Sequence, residues 1–200
     1  MEILCLDLEG VLVPEIWLSV AERTGIAELK RTTRDVPVYD DLMRYRMDVL
    51  ERNDLKLSTI REVIGGLEPL PGAVDFLRWA RRSFQVAILS DTFYEFGMTL
   101  MAKLDHPLLL CHRLTVQDDR IVGYRLRQDD PKREAVRAFH SLNYRVLAAG
   151  DSFNDTAMLE EADAGVFFNA PANVVAEFPE FDAVDSYDAL AQRLKQLQGG

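Results

Sequence analysis

Residues 1–15 read MEILCLDLEGVLVPE. An apolar run breaks at Asp7 and Glu9 and then resumes as Val11-Leu12-Val13. Asn, Ser or Gly would end a strand as well, so two carboxylates placed where the chain leaves a core ask for a chemical reason. EILCLDL has the continuous apolar character of a strand buried on both faces. That character returns at FQVAILS (84–90), YRVLAAG (144–150) and AGVFFNA (164–170), and weakly at DAV (182–184). Between these runs, GAVDFLRWARRS (72–83) and DTAMLEEAD (155–163) carry helical spacing. Strands alternating with helices predict an α/β fold, a Rossmann-like parallel sheet flanked by helices. Ligands in such folds bind beyond the carboxyl ends of the strands.

Two stretches depart from the alternation. Residues 14–69 are polar and helix-rich, and PLPG (69–72) marks the return to the core. They read as a small helical insertion after the first strand, leaving residues 1–13 and 70–200 as the core domain. LLLCHRLTVQDDRIVGYRL (108–126) alternates around Asp118-Asp119 and reads as a β-hairpin flap.

The totals set limits. Two hundred residues, 48% hydrophobic and 28% charged, suit one soluble domain, or one domain carrying an insertion. A net charge of −10 argues against nucleic acid or an anionic membrane as the main partner. No apolar run approaches the ~18 residues of a membrane span. The N-terminus has Glu2 and no basic region, so it is not read as a secretory signal. The two cysteines, Cys5 and Cys111, form no close-spaced pair, and Cys5 within the first strand reads as a buried thiol in a reducing cytosol. A cytoplasmic protein is therefore expected. The oligomeric state stays open, a homodimer included.

The strand ends form a chemical inventory. The first run stops at Asp7 and Glu9, the second at Ser90-Asp91-Thr92, and the third at Gly150-Asp151-Ser152, with Asn154 and Asp155 close behind. In neighbouring parallel strands these groups meet at one edge. Gathered carboxylates repel unless a cation sits among them, and an all-oxygen cluster suits a hard ion, Mg²⁺ by default. His106, His112 and His140 show no metal spacing and read as surface or structural residues. In DDPKREAVRAF (129–139), Asp130 is a candidate N-cap and Pro131 a first helical residue, which puts Lys132 in the first turn. The helix dipole disfavours a cation there, so an anion in front of it is expected. Each piece also has a plain alternative: a strand-terminating pair, an N-cap for Ser90-Asp91-Thr92, a turn for GDSFND, a solvated lysine. Together they point to phosphoryl transfer through a carboxylate nucleophile, a second acid, a lysine and a metal.

The order DLEGVL, ILSDT, DPK, GDSFND resembles the four motifs of the haloacid dehalogenase-like phosphatase superfamily. With the strand pattern, the resemblance covers nearly the whole chain. It implies Asp7 as nucleophile and Glu9 as general acid/base. It implies Mg²⁺ held by Asp7, the Glu9 carbonyl and Asp151, supported by Asp155, and phosphate held by Ser90 and Lys132. The insertion and hairpin are similar to the cap and flap of the phosphoserine phosphatase family, which implies that residues 14–69 form a helical cap domain. That likeness implies O-phosphoserine as substrate, with Glu15 facing its ammonium, Arg46 its carboxylate, Tyr39 an aromatic neighbour, and Asp91 and Asn154 near the phosphate. Glu9 in place of the usual aspartate, Val11 in place of threonine, and Ser-Asp-Thr in the second motif resemble a bifunctional branch that also passes the phosphoryl group to homoserine. The competing expectations are a phosphatase of another small phosphorylated metabolite, a receiver-like signalling domain and an inactive binding module.

Overall fold

The structure is a computed structural model that describes residues 1–32, 35–36 and 38–199. In chain order the elements are β1 (Glu2–Leu6), α1 (Ile16–Thr24), α2 (Tyr39–Arg52), α3 (Leu57–Gly65), α4 (Ala73–Ala80), β2 (Gln85–Phe93), α5 (Tyr94–Met101), β3 (Leu108–Gln117), β4 (Arg120–Arg125), α6 (Pro131–Ser141), β5 (Arg145–Gly150), α7 (Thr156–Glu161), β6 (Ala164–Phe168), α8 (Ala172–Glu177), β7 (Asp182–Val184) and α9 (Tyr187–Leu197).

The strands form one sheet in the order β4-β3-β2-β1-β5-β6-β7, parallel except for the β3–β4 pair. Apolar side chains point both ways from it. Leu4 and Leu6 of β1 enter one core with Ile88, Leu147 and Phe168, while Ile3 and Cys5 enter a second with Ala87, Leu89 and Phe167. This two-sided burial explains why the strands are apolar without alternation. Beside β1 the chain runs to β2 on one flank and to β5 on the other, so a crevice opens at its carboxyl end.

Two expectations are refined. β2 does not stop at Ser90 but runs on through Asp91 and Thr92 to Phe93, and α5 begins only at Tyr94, so the alternative of a helix cap for Ser90-Asp91-Thr92 falls. The expected hairpin exists, but its first strand also belongs to the sheet. Leu108–Leu110 of β3 pair with β2, and Arg113–Gln117 pair with β4. Asp118 (φ +47°) and Asp119 (φ +63°) make its two-residue tip in the left-handed conformation that such hairpins require.

That tip reaches the helical insertion. The Asp119 carbonyl accepts the Leu57 N–H at 2.8 Å, and its carboxylate accepts the Ser58 N–H at 2.9 Å and the Ser58 hydroxyl at 2.5 Å. Asp119 thus caps α3 from a distant part of the chain. Tyr124 bonds Asp40, and Arg120 bonds Asp54. Among the described residues, no helix is long and apolar enough to cross a membrane.

Candidate active site

The turn after β1 answers the oddity of the opening segment. The Leu12 and Val13 N–H groups donate to the Leu8 carbonyl at 2.8 and 3.0 Å, and the Gly10 N–H donates to the Val13 carbonyl at 2.9 Å. This tight return buries Leu8, Val11, Leu12 and Val13, so the apolar run resumes inside the core. Gly10 sits at φ +78°, and a Cβ there would lie 2.4 Å from Asp151 Oδ2. The turn therefore needs glycine twice, for its backbone and for the approach of Asp151.

Asp7 follows β1 directly and is anchored by its N–H on the Ala149 carbonyl at 3.0 Å. Lys132 reaches it from the first turn of α6, almost wholly buried. Its Nζ lies 2.6 Å from Asp155 Oδ1, 3.0 Å from Asp7 Oδ1 and 3.7 Å from Asp91 Oδ2. A lysine at a helix N-terminus is explained by these carboxylates. Asp130 precedes the helix as expected, but its side chain takes Arg133 Nε at 2.9 Å and makes no cap bond. Asp155 Oδ2 accepts the N–H groups of Asp151 and Ser152 at 2.9 and 3.0 Å, so this buried residue fastens the loop and Lys132 together. A Cβ on Gly150 would lie 2.3 Å from Asp155 Cγ, which is why glycine ends β5.

The carboxylates of Asp7, Asp91 and Asp155 contact the ammonium of Lys132, and that of Asp151 stands beside Asp7 and Asp155. Burial raises the Asp7 carboxyl well above the usual range, helped by Asp155, Asp151 and Asp91, with Lys132 opposing. Burial and Asp155 likewise push Asp151 up to about 7. Burial disfavours the charge of Lys132, but Asp155, Asp7 and Asp91 outweigh it and hold the ammonium well above its ordinary value. Burial also opposes the charge on Asp91, yet Lys132 ahead of His112 and Asn154 keeps its carboxyl below the usual range. One carboxylate oxygen each from Asp7, Asp151 and Asp155 fall within 4.8 Å of one another. This all-oxygen set, short of positive charge, has the chemistry of a hard-cation site.

Around it, buried Ser90 accepts the Thr92 N–H on its Oγ at 3.2 Å, Asn154 Nδ2 donates to Asp91 Oδ2 at 2.8 Å, and the Tyr39 hydroxyl donates to the Asp91 carbonyl at 3.2 Å. Tyr39 thereby ties the start of α2 to the sheet edge.

The other side of the cleft comes from the helical insertion. Glu9 Oε2 accepts the Ile16 N–H at 2.8 Å, at the orphaned amides that open α1. Burial, then Glu15, pushes the Glu9 carboxyl up to about 8 against the pull of the Ile16 N–H and Arg46. Glu15 is exposed at the N-cap position of α1 and makes no cap bond there. Arg46 is 7% exposed, its guanidinium lies 4.7 Å over the Trp17 ring, and Nη2 donates to the Arg31 carbonyl at 3.0 Å. Its buried Nε has no hydrogen-bond partner among the described residues. Burial lowers this guanidinium to about 10, against the opposing pull of Glu9, Tyr39 and Glu15.

The structure thus gathers Asp7, Ser90, Asp91, Lys132, Asp151, Asn154 and Asp155 at the strand ends, and brings Glu9, Glu15, Tyr39 and Arg46 to the insertion side. Of the two alternatives expected for His112, surface or structural, the structure shows the second: it is buried, with Nε2 3.6 Å from Asp91 Oδ1. Trp17 was missed. A hydropathy pattern shows such rings only as core, because the polar contact of one and the stacking of the other are tertiary.

A family profile for haloacid dehalogenase-like hydrolases matches residues 1–163. The chain belongs to that family. It is 62% identical over 191 residues to phosphoserine phosphatase ThrH of Pseudomonas aeruginosa, a match covering 95% of this chain and 93% of the relative. A substrate-bound phosphoserine phosphatase complex shares the fold with a TM-score of 0.81 at 20% identity, over 98% of this chain and 97% of the other. A phospho-aspartyl intermediate analogue of phosphoserine phosphatase gives 0.77 at 21% identity, over 91% of each chain. In this haloacid dehalogenase-like hydrolase, the carboxylates therefore occupy the crevice where an α/β sheet binds its ligand.

Proposed function

We propose that the protein is a Mg²⁺-dependent phosphoserine phosphatase that works through an aspartyl-phosphate on Asp7. The observation that carries this reading is the buried Lys132, held between Asp7, Asp155 and Asp91 at the mouth of the parallel strands. A lysine bound this way has a permanent anionic setting, and it stands beside a carboxylate able to attack phosphorus. The substrate rests on the 62% identity to a relative of that name.

The chemistry follows in two displacements. Asp7 attacks phosphorus, the bond to the seryl oxygen breaks, and Glu9 gives its proton to that oxygen, releasing serine. Water then attacks the phosphoaspartate, Glu9 takes back a proton, and inorganic phosphate leaves with Asp7 restored. A Glu9 carboxyl pushed up to about 8 is protonated at neutral pH, the state needed for the first displacement. Lys132, the Ser90 hydroxyl and Asn154 bind the phosphoryl oxygens, and Asp91 orders them through its carboxylate. On the insertion side, Arg46 meets the substrate carboxylate with its unpartnered Nε, Glu15 meets the ammonium, and Tyr39 closes the aromatic edge. Residues 14–69 thereby act as the cap.

Asp7, Asp151 and the main-chain carbonyl of Glu9 would hold Mg²⁺, with Asp155 supporting them; the charge deficit of the cluster fits a divalent cation. When bound, the ion supplies positive charge beside the phosphoryl oxygens. Because an alcohol can replace water in the second displacement, and homoserine is serine with one more methylene, the same amino-acid clamp admits homoserine as acceptor.

The test incubates the protein with Mg²⁺ and phosphoserine, with and without homoserine, and follows inorganic phosphate and phosphohomoserine together. Phosphate release that stops with a chelator and returns with Mg²⁺ is expected. Failure to release phosphate from phosphoserine, with turnover of another phosphomonoester, overturns the substrate. Absence of phosphohomoserine removes the transfer.

A further inference from the structure

His112 stands outside every role assigned so far. It lies on β3 opposite Phe93 of β2, just past the register shift that follows Leu89, where β3 leaves β2 to pair with β4. The side chain is 3% exposed and packs between the rings of Tyr39 and Phe93, each with its centroid 6.1 Å away. Its Nδ1 accepts the Arg127 backbone N–H at 3.1 Å. An acceptor nitrogen carries no proton, so the ring's N–H is on Nε2. That nitrogen faces Asp91 Oδ1 at 3.6 Å, too long for a finished hydrogen bond and within a small closing movement of one. The other Asp91 oxygen takes Asn154 and Lys132.

We propose that His112 is a positioning residue: it fixes the Asp91 carboxylate, and Asp91 in turn aims Asn154 and Lys132 at the phosphoryl group. The proposal rests on the phosphatase reading above. Its geometry is a relay of three contacts, Arg127 N–H to His112, His112 to Asp91, and Asp91 to the two phosphate-binding side chains. Without His112, Oδ1 has no other side-chain partner among the described residues, and the carboxylate turns about its Cβ–Cγ bond. Asn154 and Lys132 then lose a fixed partner, Lys132 keeping Asp7 and Asp155. The bland alternative is that His112 merely fills space between two aromatic rings.

His112→Phe separates the two readings, because it keeps the ring and removes the N–H. The expected result is a folded protein whose kcat on phosphoserine falls about 10- to 100-fold, the scale of a misplaced binding group, with inorganic phosphate bound more weakly by calorimetry. His112→Gln, whose amide can present an N–H near the former Nε2, restores at least half of that loss on a logarithmic scale and serves where the Phe variant does not fold. In an Asp91→Asn background the Phe substitution has little further effect, since the two act through one contact. Activity and phosphate affinity of His112→Phe within twofold of wild type, or effects of the two substitutions that simply multiply, overturn the proposal. If wild-type protein binds phosphate but does not turn over phosphoserine, the substrate assignment falls, and the affinity arm still decides the role of His112.

Discussion

The cleft has two sides built by different physics. On the sheet side, the buried charges of Asp7, Lys132 and Asp155 lock one another. Lys132 and Asp155 are buried, bonded to each other, and positioned by strands in parallel register. On the insertion side, Arg46 and Glu9 are carried on or against short helices, which the hairpin holds through exposed contacts of Asp119 with Ser58, Arg120 with Asp54 and Tyr124 with Asp40. Buried, mutually satisfied groups open only with the whole fold, whereas exposed bonds open locally and often. In the proposed reaction the sheet wall carries the nucleophile and the phosphate-binding groups, and the wall held by exposed bonds carries Glu9 and the groups that select the substrate.

The sharpest break of the sheet wall is Asp7→Asn. Loss of the nucleophile should reduce turnover of every phosphomonoester by at least about a thousandfold. Stability should move the other way or not at all, because the change removes one of three carboxylates crowded on a single ammonium, and Lys132 keeps Asp155. A chelated sample of the variant melting well below wild type would contradict this charge count. Gly10→Ala should come next. Its Cβ would fall 2.4 Å from Asp151 Oδ2 at a φ of +78°, so it displaces a carboxylate of the candidate metal cluster. We expect about a hundredfold lower activity at limiting Mg²⁺, relieved in part at high Mg²⁺, as read from a metal titration of kcat.

Arg46→Ala tests the other wall. Removing a charge-assisted contact should lower kcat/KM on phosphoserine by about 10- to 100-fold. Hydrolysis of p-nitrophenyl phosphate, which has no carboxylate to hold, should stay within about threefold and serves as the control for folding. Equal losses on both substrates would merge the two walls into one.

The same division governs what the sequence could tell. The strand ends were legible because a parallel sheet converts one-dimensional punctuation into proximity. Asp7, Asp91 and Asp151 each stand at or just beyond an apolar run, and β1 lies between β2 and β5. Lys132 was legible because a cation at a helix start contradicts the dipole and so demands an anion. The end of β2 was read three residues short, at Ser90, since Ser-Asp-Thr favours a helix cap locally and the pairing of Phe93 with His112 is a long-range contact. The roles of Trp17 and His112 and the capping of α3 by Asp119 could not be read at all. They depend on contacts between segments that no local period relates; Ser58 and Asp119 lie 61 residues apart.

The smallest expected effect belongs to that last contact. Asp119 sits at φ +63°, so alanine would add backbone strain; Asn tolerates the conformation and removes only the charge. The bonds from Ser58 hold the Asp119 carboxyl below its usual range, with Lys56 and Arg61 adding to them. A carboxylate whose value is depressed in the folded state stabilises it above the ordinary value and loses that contribution as pH falls through the depressed one. Asp119→Asn should therefore melt no more than a few degrees below wild type at neutral pH, and the gap should close on acidification below about 4. At neutral pH the Ser58 amide should exchange faster in the variant while Val146, in the core of β5, is unchanged. A gap that persists in acid would mean that the tip holds α3 by shape and not by charge, and the insertion side would then be no more easily opened than the sheet side.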